Sequence, residues 1–209
     1  MDTQASLDPF AITTLEALAS LYGETPERAN KKVVHKLDDT ARRFIAASPF
    51  CILATGASRG LRATPRGDEA GFVVPLDDAT LAMPDRRGNN RIEALRDIVE
   101  SGQVALLFLV PGSSETLRVN GRARLTTDPA LRARFAMKGI EPATVILVTI
   151  HELYMQCGRA LLRSRIWAGG ARPAGVPTAG EMIAAHTGGL VEAAEYDAAA
   201  YANAMKSLY

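Results

Sequence analysis

Cysteine is scarce: the 209 residues contain two, Cys51 and Cys157, each in an apolar stretch and neither in a CxxC pair. That excludes a disulfide framework and a thiolate zinc site, and both cysteines read as small core residues. Histidine is equally sparse. His35, His151 and His186 fall in separate segments, so each reads as structural or surface, and no metal site is expected. Aromatic residues make up 6% of the chain, with Trp167 the one tryptophan. None interleaves with Arg118, Arg122 and Arg124, which argues against a nucleic-acid surface. Neither sign of charge dominates: 24 basic residues face 23 acidic ones, for a net +1, so no whole-protein field draws a polyelectrolyte. The longest fully apolar run, Val104–Val110, falls far short of the roughly 20 residues that span a bilayer. The opening MDTQASLDPF has no basic or apolar leader pattern, so a cytoplasmic protein is expected, with no membrane partner. GxSxG, HExxH and P-loop patterns are all missing.

What is present is a change of period. Residues 1–47 read as helical. Leu15, Leu18, Ala19 and Tyr22 share a face before Gly23, and Thr25-Pro26 resembles a helix start. Leu37, Ala41, Phe44 and Ile45 form an amphipathic stripe that ends near Ser48-Pro49. From Phe50, the runs FCILATG, LRATPR and GFVVPL are broken by GASRG and GDEAG, which predicts a three-stranded meander. TLAMP (80–84) predicts a fourth strand. Ile92, Leu95, Ile98 and Val99 predict a helix closed by Gly102. VALLFLV (104–110) suits a strand buried on both faces. ETLRVNGRARL (115–125) alternates, and TVILVTIHELYMQC (144–157) is the last long strand. Asp128-Pro129 starts a helix holding Leu131 and Phe135. The alanine-rich tail reads as two helices, with Thr178 and Glu181 as a capping box. The expected class is α+β, about six strands with flanking helices. The expected organisation is one domain over 1–209: a core at about 48–167, N-terminal helices at 1–47 and a helical tail at 168–209.

Arginine is concentrated. Arg59, Arg62, Arg66, Arg86, Arg87, Arg91 and Arg96 fall within residues 59–96. In PDRRGNNRIEAL (84–95), Asn90 and Glu93 fit an N-cap with its reciprocal residue, and Arg91 sits in the first helical turn. A cation there is unfavourable unless an anion joins it, and a phosphate would suit both the N–H groups and the arginine forks. The competing reading is a solvated turn whose arginines pair with Asp85 and Glu93. Arg66, at the end of ATPRGD (63–68), is either a second ligand for that anion or a partner for Asp68 or Glu69.

Five segments in order, SPFCILAT (48–55), TPRGDEAGFV (64–73), LAMPDRRGNNR (81–91), LLFLVPGSSETLRVNGRARLT (106–126) and CGRALLRSRIW (157–167), resemble the pyridoxamine 5′-phosphate oxidase-like flavoproteins. The likeness is to a branch of FMN-dependent enzymes of unassigned substrate. It implies a split β-barrel and a homodimer with FMN at each of two subunit-interface sites. It implies that Asn89, Asn90 and Arg91 hold the FMN phosphate, with Arg66 at the end of the preceding strand. Thr64 and Pro65 would lie along the flavin ring, and Thr116 would contact it. Arg163, Arg165 and Trp167 resemble a segment that closes the site. Where the branch carries HC-x-K, this chain has Gln156-Cys157-Gly158-Arg159, keeping the charge and losing the histidine. The implied activity is an FMN-dependent oxidoreductase acting on a small molecule. The alternatives are a flavin-binding protein without turnover, or one that binds deazaflavin or haem.

Overall fold

The computed structural model describes residues 8–206. The chain divides into two compact units, one ending at Val33 and one starting at Val34. The first holds α1 (Leu15–Ser20), capped by the Thr14 hydroxyl on the Ala17 N–H, and α2 (Glu27–Lys31). Neither the apolar face of α1 nor its ends are buried: Leu15, Leu18 and Tyr22 are all exposed.

The second unit is built on one antiparallel sheet. Its strands are β1 (Phe50–Ala57), β2 (Gly60–Gly67), β3 (Val74–Pro75), β4 (Thr80–Pro84), β5 (Gln103–Leu109), β6 (Thr116–Thr126) and β7 (Val145–Gln156). They lie in the order β2-β1-β5-β6-β7-β4-β3, an open split barrel with β2 and β3 at its edges. Seven strands form where about six were expected, and the short run at 71–76 does not complete the expected meander. β1 and β2 pair as a hairpin, but β3 crosses to the far edge and pairs with β4. Tight turn geometry redirects the chain: Gly71 has φ +84, and the Asp68 and Gly71 N–H groups donate to the Pro49 and Ser48 carbonyls.

Alternation decides which residues form the core. On β1, Cys51, Leu53 and Thr55 are buried, and their partners Phe108, Leu106 and Val104 on β5 continue the same face. β5 was expected to be covered on both sides. Its outward residues Ala105 and Leu107 are only half-buried. α3 (Asp39–Ala47), capped by Asp38, closes the core with Ala41 and Ile45. α4 (Glu93–Glu100) closes it with Leu95 and Ile98, and Gly102 ends that segment at φ +69. α5 (Pro129–Arg134) begins at Asp128 as expected, and Leu131 and Phe135 pack with Val145 and Leu147 in a smaller cluster.

At the middle of the sheet the β6–β7 register shifts between Asn120 and Gly121, leaving His151 as the extra residue on β7. The sequence continues with α6 (Arg159–Ser164), not foreseen as a helix, then α7 (Ala179–His186) and α8 (Ala193–Lys206). The Thr178–Glu181 capping box forms as expected.

Candidate functional site

β2 is an edge strand with two faces. Arg62, Thr64 and Arg66 turn toward the core side, while Leu61, Ala63 and Pro65 are exposed on the other. The inward side is fixed by a buried ion pair. Arg62 Nη1 donates to both carboxylate oxygens of Asp97 at 2.8 Å, and the Thr55 hydroxyl donates to Oδ2 at 2.8 Å. Burial pushes the Asp97 carboxyl up, but the Thr55 and Arg62 hydrogen bonds outweigh it and hold it below the usual carboxylate range. Arg62 thereby ties α4 to β2, and the start of α4 comes to lie beside Arg66.

The start of α4 differs from its sequence reading. Asn90 is not the N-cap. The helix begins at Glu93, its capping position is Ile92, and no side chain caps it. Asn90 and Ile92 both have positive φ, +59 and +47. A β-branched residue in the left-handed region is strained, and such strain gathers at functional sites. Asn89 Oδ1 accepts the Arg91 N–H at 3.1 Å, closing the turn one residue early. Glu93 does not reach back to Asn90. It accepts from Arg91 Nη2 at 3.0 Å and lies 3.8 Å from Arg62 Nε. The Arg91 hydrogen bond holds the Glu93 carboxyl below its ordinary range.

Beside this turn opens a cavity of about 860 Å³. Thr64, Arg66, Asn89, Asn90 and Arg91 line it, and so does the segment Ile140–Thr144. Four arginines line it, Arg66, Arg86, Arg87 and Arg91, against Asp85, Glu93 and Glu141. They are not equally available. Arg86 is committed to Asp68 at 2.5 Å and to the Phe135 carbonyl at 2.6 Å. Arg66 does not take Asp68 or Glu69 as its partner. Its Nη1 donates to Asp85 at 2.7 Å, and its buried Nε has no partner among the described residues.

Pro65, Thr116, Arg165 and Trp167 do not line this cavity. Thr116 is buried at the start of β6, three strand spacings from β2, or about 14 Å. Arg165 ends α6 at φ +51, and Trp167 Nε1 donates to the Ser113 carbonyl at 2.7 Å. Gly158, which starts α6, packs on Ser114 so closely that a Cβ would meet its carbonyl at 2.8 Å. Of the nine expected residues, five line the cavity, Thr116, Arg165 and Trp167 lie in a second region, and Pro65 faces outward on β2. The cavity lies beside α4; the second region lies where the 158–167 segment rests on the 113–116 turn. The contribution of residues 140–144 was invisible in the sequence, because a threonine before a strand carries no local signature of a cavity.

His35 Nδ1 pairs with the His151 carbonyl at 2.6 Å, away from the cavity. The cysteines part company. Cys51 is buried, its thiol pushed up to about 12 by burial against a smaller opposing pull from Arg66. Cys157, contrary to its reading as a core residue, is exposed, because β7 ends at Gln156. A thiol reagent at pH 8 is expected to label Cys157 alone in the native protein, with Cys51 reacting only after unfolding. Fast labelling of two thiols in the folded protein would contradict this placement.

Residues 37–157 match the pyridoxamine 5′-phosphate oxidase family. No curated protein matches the chain. Among solved structures, HupZ of Group A Streptococcus overlaps 56% of this chain and 91% of its own at 15% identity and a TM-score of 0.47. General stress protein 26 of Bacillus anthracis overlaps 54% and 88% at 17% identity and a TM-score of 0.42. An FMN-binding protein of Syntrophomonas wolfei overlaps 56% and 84% at 12% identity and a TM-score of 0.45. Overlaps this loose carry no weight for ligand or activity; the matched segment, more than half of the chain, does for descent. By that segment the chain belongs to the pyridoxamine 5′-phosphate oxidase family.

Proposed function

We propose that this protein binds FMN and works as an FMN-dependent oxidoreductase on a small molecule. The observation that carries the reading is the unpartnered Nε of Arg66, buried in the wall of the 860 Å³ cavity. A buried donor without an acceptor is costly, so a native chain that keeps one calls for a ligand there. A phosphate meets the need. It accepts from Arg66 Nε, from the Arg91 guanidinium, from the Asn89 and Asn90 amides and from the uncapped first turn of α4. The bound flavin supplies the electron-transfer chemistry, and the chain binds, orients and shields it.

The second region supports a homodimer with FMN at the subunit interface. Thr116, Arg165 and Trp167 do not line their own chain's cavity and would serve the cavity of the partner. The outward faces of β1, β2 and β5 offer the surface for it: Ala63 and Pro65 are exposed, and Ile52, Ala54, Ala105 and Leu107 are half-buried apolar residues beside them. Leu61 is 91% exposed at the edge of that face.

FMN titration of three proteins tests the site. Arg91→Ala should weaken binding about tenfold through loss of a charge-assisted contact. Leu131→Ala, in the smaller core cluster, should lower Tm by several degrees and leave FMN affinity unchanged. Equal loss of FMN in both variants would mean that the phosphate seat lies elsewhere.

A further inference from the structure

Thr144 is the second unusual group in the cavity. Its Oγ1 is buried and, like Arg66 Nε, has no hydrogen-bond partner among the described residues; no other buried side-chain nitrogen or oxygen there shares that condition. Both residues line the same cavity. They come from distant parts of the chain, the end of β2 and the residue before β7, and Asp85 joins them. Asp85 Oδ1 accepts from Arg66 Nη1 at 2.7 Å, and the Asp85 N–H donates to the Thr144 carbonyl at 3.0 Å.

We propose that Thr144 is a ligand-binding residue whose hydroxyl donates to the same phosphate as Arg66, so that the 140–144 segment forms the second wall of the phosphate subsite. The proposal rests on the phosphate reading above. An arginine Nε–H only donates, and a threonine hydroxyl rotates to donate. Two buried donors without acceptors line one cavity, where the nearby Asp85 carboxylate is engaged by Nη1; they call for a separate acceptor, and an anionic oxygen fits. The wall is built to hold its place. Met137 and Ile140 exchange two backbone hydrogen bonds at 2.9 Å around Lys138 and Gly139, both at positive φ. Arg132 Nε donates to the Pro142 carbonyl at 2.8 Å, and its Nη2 lies 3.4 Å from Glu141. A subsite with donors from both Arg66 and Thr144 selects a phosphorylated flavin over riboflavin.

The test uses the full chain stripped of ligand, as wild type, Thr144→Val and Thr144→Ser, titrated with FMN and with riboflavin. The valine variant should lose about tenfold in FMN affinity and less than twofold in riboflavin affinity, and the serine variant should keep wild-type affinity. The ligand-free Tm of Thr144→Val should hold or rise, since an unpaired buried hydroxyl is replaced by a methyl group. If wild type binds FMN and Thr144→Val binds it equally well, a bridging water occupies the position and the proposal falls while the FMN reading stands. Parallel loss of FMN and riboflavin would place the hydroxyl away from the phosphate and overturn the proposal. If wild type takes up neither FMN nor inorganic phosphate, both readings fall together.

Discussion

Arg66→Ala is expected to lower FMN affinity roughly 100-fold, the scale of removing a buried charge-assisted donor pair from a bound anion. The side chain stands where strand and helix meet: its Nη1 is fixed by Asp85, and its Nε is left for the ligand. In the ligand-free chain the loss of the Asp85 partner lowers Tm, offset in part by removal of an unsatisfied Nε, so Tm should fall by several degrees. Arg66→Lys should recover only part of the affinity, since an ammonium cannot hold Asp85 and present a second donor in the same plane. Titration by flavin fluorescence reads both variants. An alanine variant that binds FMN within twofold of wild type would remove Arg66 from the site and return it to a plain ion pair with Asp85.

The second large effect concerns the sheet. Gly121→Ala is expected to cost about 3 kcal/mol or more and to lower Tm by about 10 °C. A Cβ at this position would sit 2.1 Å from the Thr149 carbonyl oxygen, and backbone, unlike a flexible side-chain tip, cannot move aside cheaply. The register shift between Asn120 and Gly121 brings the strands that close, and β6 carries the buried Val119 and Ala123 on either side. Separating β6 from β7 would disturb the centre of the sheet. Thermal unfolding of the variant gives the answer, and a Tm within 2 °C of wild type would show that the shift absorbs a methyl group. Gly60, with φ +100 and open space around it, is constrained by backbone conformation rather than by contact, so its substitutions should behave differently.

These two positions mark how far the sequence could be read. Strand positions followed from alternation: Cys51, Leu53 and Thr55 face inward because residues two apart share a face. The α4 segment was legible from Ile92, Leu95 and Ile98, and the Asp128 and Thr178 caps from residue type alone. Pairing was not legible. VVPL looks like a third meander strand, yet β3 is two residues long and belongs to the opposite edge, a consequence of long-range contacts that local pattern does not encode. The N-cap at Asn90 failed for a local reason. Asparagine tolerates both the Asx turn at Asn89 and the left-handed backbone at Asn90, so the polar pair builds a turn and passes the helix start to Ile92.

The site was half legible. Thr64, Arg66, Asn89, Asn90 and Arg91 do meet at one cavity. Arg86, adjacent in sequence and identical in type, is instead tied to Asp68 and Phe135, a distinction only the fold can make. Thr116, Arg165 and Trp167 gather elsewhere, and one chain does not bring them to the cavity. That separation is what motivates the proposed homodimer, in which the second group of residues would serve the cavity of a partner copy.

The most direct measurement is the absorption spectrum of the freshly purified protein, with mass spectrometry of whatever heat releases. A flavin band in the protein and FMN in the supernatant, one per chain, is the predicted result. A colourless protein that also fails to take up added FMN would contradict the account and leave residues 84–95 as a charged turn.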